Sequence, residues 1–101
     1  MSRRQVEFSP RARRHVVTIQ QWWRQNRLAA PDLFAEELAG VVADLVEGSV
    51  LGVVFATVNG LEVRRVLMPR TRYHLHRQNS SDTLEVVAVW HTSRGRGPEL
   101  V

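Results

Sequence analysis

Basic and imidazole side chains are concentrated in one stretch of the sequence, residues 63–77. This stretch has no acidic residue, and it contains Arg64, Arg65, Arg70, Arg72, Arg77, His74 and His76. Guanidinium groups form paired, planar hydrogen bonds with phosphates and carboxylates. On an extended strand Arg72, His74 and His76 share one face, because successive side chains alternate. If helices cover the other face, this one is exposed, either as an ordinary polar face or as a docking surface for an acidic protein segment or nucleic acid.

A second candidate site lies at the end of the last hydrophobic segment, where Trp90 and His91 precede Arg94 and Arg96. Imidazole titrates near neutral pH, so His91 could act as a general acid or base. Arg94 or Arg96 could then stabilise negative charge on a phosphate in the transition state. The alternative is that His91 is structural and is hydrogen-bonded at the end of a strand.

Metal and cofactor chemistry has little support in the sequence. His74 and His76 could place two imidazoles on one strand face, but no acidic residue lies close in sequence to provide a third ligand. The chain has no cysteine and no lysine, which excludes disulfides, thiolate zinc sites and a lysine base. It also lacks a P-loop, a dinucleotide fingerprint and a zinc-finger pattern. We therefore predict no metal and no cofactor.

The overall charge favours large anionic partners. The 101 residues carry a formal net charge of +4, and all 14 basic residues are arginine.

We expect one domain over residues 1–101, because single domains cluster near ~100–150 residues. The sequence has no run of ~18 apolar residues, so it predicts no membrane helix. The first residues do not resemble a signal peptide. The expectation is a cytoplasmic protein without membrane contact.

Hydrophobic periodicity predicts two helices. The first begins at Pro10, with Ser9 as its N-cap, and ends near Arg27. The second opens at Pro31-Asp32 and stops at Gly48. Their core stripes are Ala12, Val16, Ile19 and Trp23 in the first helix, and Phe34, Leu38, Val41 and Leu45 in the second.

The remaining segments are strand-like. Strands are predicted over residues 4–8, 63–68, 71–78 and 84–91, and the tail from Ser93 is expected to be irregular. Periodicity does not decide the structure of Val53–Thr57. The order β-α-α-β-β-β predicts an α+β fold, an antiparallel sheet with an N-terminal helical hairpin packed on one face.

Three groups of motifs resemble ParE-type toxins of the RelE/ParE toxin superfamily. The first is the helical hairpin, with WWRQNR at 22–27, APDLF at 30–34 and Glu37-Leu38; the second is VRRVLMPRTRYHL at 63–75; the third is AVWH at 88–91 with RGRGP at 94–98. The resemblance covers Phe8 to Leu100, and it is more specific for the superfamily than for one of its branches. It implies the small RelE-like α+β fold and the toxin of a type II toxin–antitoxin pair. The implied partner is a cognate antitoxin, a ParD-like ribbon-helix-helix protein whose C-terminal segment wraps the toxin.

The two branches of the superfamily differ in mechanism. The resemblance implies either poisoning of DNA gyrase, as for ParE-type toxins, or cleavage of messenger RNA on the ribosome, as for RelE-type toxins. RelE-type ribonucleases use a basic set, often lysine and arginine, with a C-terminal tyrosine, whereas this chain has no lysine and its one tyrosine is Tyr73. We therefore favour a non-enzymatic gyrase inhibitor that associates with DNA only indirectly, through gyrase or the antitoxin.

Residue assignments follow from these hypotheses. The binding hypothesis has no catalytic residue, and its partner-binding residues are Arg64, Arg65, Arg72, His74, His76, Trp90, Arg94 and Arg96. The alternative is a metal-independent, ribosome-dependent endoribonuclease that uses His91, Arg72 and Arg94. A toxin homologue without toxicity of its own is a third possibility.

Overall fold

Two helices and five strands make up the described part of the chain. The computed structural model describes residues 5–80, 82–95, 97, 98 and 100. The elements are β1 (Gln5–Phe8), α1 (Pro10–Asn26), α2 (Leu33–Glu47), β2 (Val53–Val58), β3 (Leu61–Met68), β4 (Tyr73–Ser80) and β5 (Thr83–His91). The α+β class is confirmed, and all the predicted helices and strands are present in the predicted order. The segment that periodicity did not decide forms one further strand, β2.

The five strands form one mixed sheet in the order β1-β5-β4-β3-β2. Strands β2 to β5 are antiparallel neighbours, but β1 runs parallel to β5, with Val6 opposite Leu84. The prediction of an antiparallel sheet therefore holds for every pair except β1–β5. A parallel pair needs a long connection, and here both helices and three strands separate β1 from β5.

Local signals fix the ends of the helices where the sequence predicts them. Ser9 Oγ accepts a hydrogen bond from the amide of Ala12 at 3.1 Å, and Pro10 lies in the first turn, where its missing N–H is not needed. Gly48 ends α2 with φ of 76°, a left-handed conformation that glycine adopts without a Cβ clash. No helix among the described residues is long and apolar enough to cross a membrane.

The helical hairpin packs on one face of the sheet, here called the inner face. The buried core consists of Ala12, Trp23, Phe34, Leu38, Val41 and Leu45 from the helices and Val66, Met68, Tyr73, Leu75, Leu84, Val86 and Val89 from the sheet. Burial of one side chain of leucine size stabilises a fold by about 2 kcal/mol, so this layer holds the hairpin on the sheet. On the opposite or outer face, the described part of the C-terminal tail (residues 92–100) returns over the strands.

Candidate functional site

The basic residues of the β3–β4 hairpin are divided between the two faces of the sheet. Arg64 lies opposite Arg77 on the inner face, because both alternate in phase with the core residues of their strands. Arg65 lies opposite His76 on the outer face. The hairpin therefore does not present one continuous cationic surface.

On the inner face, Arg64 and Arg77 hold the loop between α2 and β2. The buried Arg77 donates a 2.6 Å hydrogen bond from Nη2 to the carbonyl of Leu51. Arg64 donates from Nη1 to the carbonyl of Gly52 at 2.9 Å and from Nε to Glu62 Oε1 at 2.8 Å. Guanidiniums thus satisfy two adjacent loop carbonyls. These contacts give Arg64 a role in the fold, and its role in partner binding stays a prediction.

The outer face carries a cluster of aromatic and basic side chains: Phe55, Arg65, His74 and His76. The rings of Phe55 and His76 meet edge to face with centroids 4.7 Å apart, and Arg65 Cζ lies 5.3 Å from the Phe55 ring centroid. His74 is half-buried. His76 is only 1% exposed, so the prediction that it faces solvent is wrong.

The C-terminal tail explains the burial of His76. Gly97 has φ of 99°, and a Cβ on it would lie 2.9 Å from Phe55 Cζ and 3.7 Å from His76 Nε2. The tail backbone therefore approaches these rings more closely than a residue with a side chain allows. The tail is irregular, as predicted. Its return to the outer face of the sheet was not predicted, because the alternation of side chains along a strand carries no information about it.

The two outer-face histidines are neutral at pH 7. Burial, together with the charges of His74 and Arg65, lowers the pKa of His76 to about 4. Burial and the charges of Arg65 and Arg72 also lower the pKa of His74. Among the described residues, no group of three or more His, Cys, Asp or Glu side chains could hold a metal ion. The positive charge of the outer-face cluster therefore comes from Arg65.

The β3–β4 turn exposes the side chains of Arg70 and Arg72. Glu37 of α2 holds this turn, because Oε2 accepts from the Arg70 amide at 2.7 Å and Oε1 accepts from the amide and hydroxyl of Thr71 at 2.9 and 2.6 Å. Burial opposes ionisation, but these hydrogen bonds outweigh it and lower the pKa of Glu37. Arg72 is predicted on a strand face, but it lies in this turn with φ of 69°, and its carbonyl accepts from the amide of Thr92 at 2.9 Å.

A groove of about 640 Å³ lies between α1, the start of β4 and the end of β5. We call it the α1–β5 groove. Its cationic and imidazole groups are Arg14, Arg27, Arg94, His15 and His91, and no carboxylate is among the described residues that line it. It brings together two predicted site residues, His91 and Arg94. The sequence reasoning missed Arg14, His15 and Arg27, which lie on or just after a helix that it treated as packing alone.

His91 is fixed by a residue that follows it in the chain. The amide of Ser93 donates to His91 Nδ1 at 3.1 Å, and Ser93 Oγ lies 2.7 Å from the same nitrogen. A backbone amide can only donate, so Nδ1 is the acceptor and the proton of the neutral ring is on Nε2. The ring also packs edge to face on Tyr73, with centroids 4.8 Å apart. In this arrangement Nε2 of His91 is a hydrogen-bond donor and not a base.

His15 has the same arrangement on α1. The pairing of β1 with β5 ends at Val86, so the Val89 amide on that edge of β5 has no partner in β1. It donates instead to His15 Nδ1 at 3.1 Å. Burial and, second, the charges of three nearby arginines lower the pKa of His15. The ring is therefore neutral at pH 7 and carries its proton on Nε2.

Two arginines of the groove are stacked on tryptophans. Arg94 Cζ lies 3.9 Å from the ring centroid of Trp90, whose Nε1 donates to the Arg94 carbonyl at 3.4 Å. Arg27 Cζ lies 4.8 Å from the ring centroid of Trp22. A guanidinium stacked in this way keeps its in-plane N–H groups for hydrogen bonds, and one of those of Arg27, on Nη1, donates to the Asn26 carbonyl at 3.3 Å. Arg96, the other predicted cation of the tail, lies outside the described residues.

Comparison with known proteins identifies the fold. No protein-family model matches the chain, and no curated protein matches it. Among solved structures, it is similar to a chain described as "Chromosomal ParDE TA system from P. aeruginosa", with a TM-score of 0.67 and 12% sequence identity. The match covers 87% of this chain and 95% of that chain. The protein therefore shares its α+β fold with that ParDE system chain, in agreement with the RelE/ParE-like fold that its motifs imply.

Proposed function

We propose that this protein is the toxin of a type II toxin–antitoxin pair and that a ParD-like ribbon-helix-helix antitoxin neutralises it. The observation that carries the proposal is the shared fold, since 87% of the chain matches a chain from a ParDE system. The motifs of the helical hairpin and of the β3–β4 hairpin resemble ParE-type toxins independently of that match. The proposed site of action is the cytoplasm, and residues 1–101 act as one domain.

The helical hairpin offers the antitoxin an apolar surface. A second groove, of about 400 Å³, lies between α1 and α2, and its walls include Val16, Phe34, Leu38 and Val42. Leu28, in the loop between the helices, is 80% exposed. An amphipathic segment that folds on binding would cover such a surface. Acidic side chains on that segment would complement the net charge of +4.

The proposed action is to bind and poison DNA gyrase without catalysis. His91 Nδ1 accepts a hydrogen bond from the amide of Ser93, so the proton of the neutral ring is on Nε2. Nε2 therefore does not act as a base in this arrangement. The chain also lacks the lysine found in many RelE-type ribonucleases. Arg70, Arg72 and Arg94 are exposed cations that could pair with carboxylates of gyrase or with phosphates of the DNA that gyrase holds.

A ribosome-dependent endoribonuclease is the second candidate, because His91 and Arg94 line one groove. This mechanism requires His91 to break its hydrogen bond with Ser93, and Arg72 lies in the turn, outside the groove lining. Primer extension on translated messages after induction tests it. New 5′ ends would support cleavage, and growth arrest without new ends would contradict it.

Expression in a host, alone and together with a ParD-like ribbon-helix-helix protein, tests the toxin proposal. We expect growth arrest from the toxin alone and rescue by the antitoxin. Normal growth despite soluble expression would instead indicate a homologue without toxicity. A supercoiling and cleavage assay with purified protein then tests the target, and unchanged gyrase activity at a large excess of toxin would count against gyrase.

A further inference from the structure

We propose that the α1–β5 groove binds a nucleoside phosphate, either a free nucleotide or the terminal nucleotide of a single strand. Neither gyrase binding nor antitoxin capture requires such a site, so this inference goes beyond the proposed function. It is a binding site and not a catalytic one.

The polar groups of the groove suit an anion. Its ionisable lining consists of Arg14, Arg27 and Arg94 with His15 and His91, and no carboxylate is among the described lining residues. In both imidazoles a backbone amide occupies Nδ1, which leaves Nε2–H for a ligand. These groups all donate hydrogen bonds, so the complementary ligand is rich in acceptors and negatively charged.

The apolar walls favour an anion that carries a base and a sugar. Ile19, Trp23 and Val89 line the groove, and Trp22 beside them is 42% exposed. A simple inorganic anion would leave the exposed ring of Trp22 in contact with water, whereas pockets for organic ligands combine apolar walls with a few polar groups. The volume of about 640 Å³ falls in the ordinary range for such pockets, ~300–1,000 Å³.

The stack of Arg27 on Trp22 gives the base a platform. The guanidinium carbon of Arg27 lies 4.8 Å from the Trp22 ring centroid and 6.0 Å from the Trp23 ring centroid, and Trp22 is 42% exposed. Bases stack on guanidinium planes and on aromatic rings alike. We place the base at this end of the groove and the phosphate at the other, between the fork of Arg94 and Nε2–H of His91.

An acidic peptide fits this groove less well. A peptide in extended form gains much of its affinity from main-chain hydrogen bonds to a strand edge. The edge of β5 passes beside the groove, but its Val89 amide is already bonded to His15 Nδ1 at 3.1 Å. Side-chain chemistry alone would then have to hold the peptide.

Tryptophan fluorescence of the purified chain tests the site directly, because Trp22 and Trp23 line the groove. The probes are AMP, adenosine and inorganic phosphate at constant ionic strength, with calorimetry as a second readout. We expect AMP to bind at least tenfold more tightly than either fragment, since it occupies both ends of the groove. No saturation by AMP up to about 10 mM would overturn the proposal.

Matched variants separate a built site from general charge attraction. Arg94→Gln and Arg27→Gln each remove one donor fork, and we expect each to weaken AMP binding about tenfold. Arg13→Gln removes the same charge from an exposed position on α1 outside the groove, and we expect less than a twofold change. Equal losses in all three variants would overturn the proposal. Urea denaturation of each variant establishes that it is folded before binding is measured.

Two further arms identify the ligand class. Tetranucleotides with and without a 5′ phosphate distinguish the end of a strand from a free nucleotide, and tight binding of either supports the shared chemistry. Stronger competition by hexaglutamate than by AMP would overturn the proposal in favour of an acidic peptide. These assays use neither antitoxin nor gyrase, so a negative result here leaves the toxicity and supercoiling results to be judged separately.

Discussion

Arg77 and Leu51 are joined by a 2.6 Å hydrogen bond from the guanidinium Nη2 to the main-chain carbonyl. Arg77 is 2% exposed, and its Nη1 also donates to Asn79 Oδ1 at 2.9 Å. A buried cation thus links β4 to the loop that carries the chain from α2 into the sheet. Strand alternation places Arg77 on the same face as Tyr73 and Leu75, and the position of this loop depends on its side chain.

Replacement of Arg77 by methionine tests this link. We expect Arg77→Met to lower the free energy of unfolding by about 2–4 kcal/mol, because the Leu51 carbonyl and Asn79 Oδ1 each lose a charged hydrogen-bond donor at a part-buried position. Urea denaturation at pH 7 measures the change, and Arg13→Gln on the exposed face of α1 is the control, with an expected change within about 0.5 kcal/mol. A similar small change in Arg77→Met would contradict the structural role.

Gly97 and Gly95 form a matched pair in the tail. Both have positive φ, 99° and 74°, but only Gly97 has close neighbours, since a Cβ there would lie 2.9 Å from Phe55 Cζ. We expect Gly95→Ala to cost about 1 kcal/mol from backbone conformation alone, and Gly97→Ala to cost more because Phe55 must also move. Chemical denaturation compares them, and equal losses would show that the tail does not press on the outer face.

Short-range signals account for what the sequence predicted well. Ser9, Pro10 and Gly48 determine the helix ends through contacts within a few residues, and the apolar stripes follow from the helical period. The burial of His76 could not be predicted in this way, because it depends on the packing of Gly97, which is distant in sequence, against the His76 ring.

The α1–β5 groove was missed for a similar reason. Its members come from α1, from the start of β4 and from the end of β5. Only the packing of the helix along the open edge of β5 brings His15 next to Val89. The positions of Arg64 and Arg72 also depended on three-dimensional facts, namely which strand face the helices cover and where the turn begins.

The buried His76 gives the protein a pH-dependent stability. Burial, with the charges of His74 and Arg65, lowers its pKa from 6.5 to about 4 in the folded chain. Between these values the unfolded chain binds more protons, so stability is full above pH 6.5 and falls as the pH drops toward 4. The expected loss from this group is about 3 kcal/mol.

Denaturation curves between pH 4 and pH 7 for the parent chain and for His76→Leu test the assignment. The variant should lose most of the slope in this window, because leucine does not titrate. His74→Gln is the control and should keep most of the slope, since His74 is only half-buried. A parent curve that is flat from pH 6.5 to pH 4 would show that His76 is not buried in its neutral form.

Glu37 and Glu36 are neighbours on α2 with different expected effects. Glu37 accepts three hydrogen bonds from the β3–β4 turn, whereas Glu36 is exposed in the first turn of the helix. We expect Glu37→Ala to cost about 2 kcal/mol, because two turn amides lose their acceptor, and Glu36→Ala to cost about 0.5 kcal/mol through the helix dipole. Thermal unfolding measures the stability loss in each variant. Equal losses would show that Glu37 does not hold the β3–β4 turn.

Arg72 and Arg64 should affect antitoxin binding through different causes. Arg72 is exposed in the turn that Glu37 holds, so Arg72→Glu should lower antitoxin affinity about tenfold, mainly through slower association that depends on salt. Arg64 is bonded to Gly52 and Glu62, so Arg64→Glu should act mainly by lowering the stability of the toxin. Surface-immobilised antitoxin at two salt concentrations gives both rate constants, and Arg13→Glu controls for the change in net charge. If Arg72→Glu and Arg13→Glu weaken binding equally at both salt concentrations, the antitoxin senses only the total charge of the toxin and the β3–β4 turn is not part of its interface.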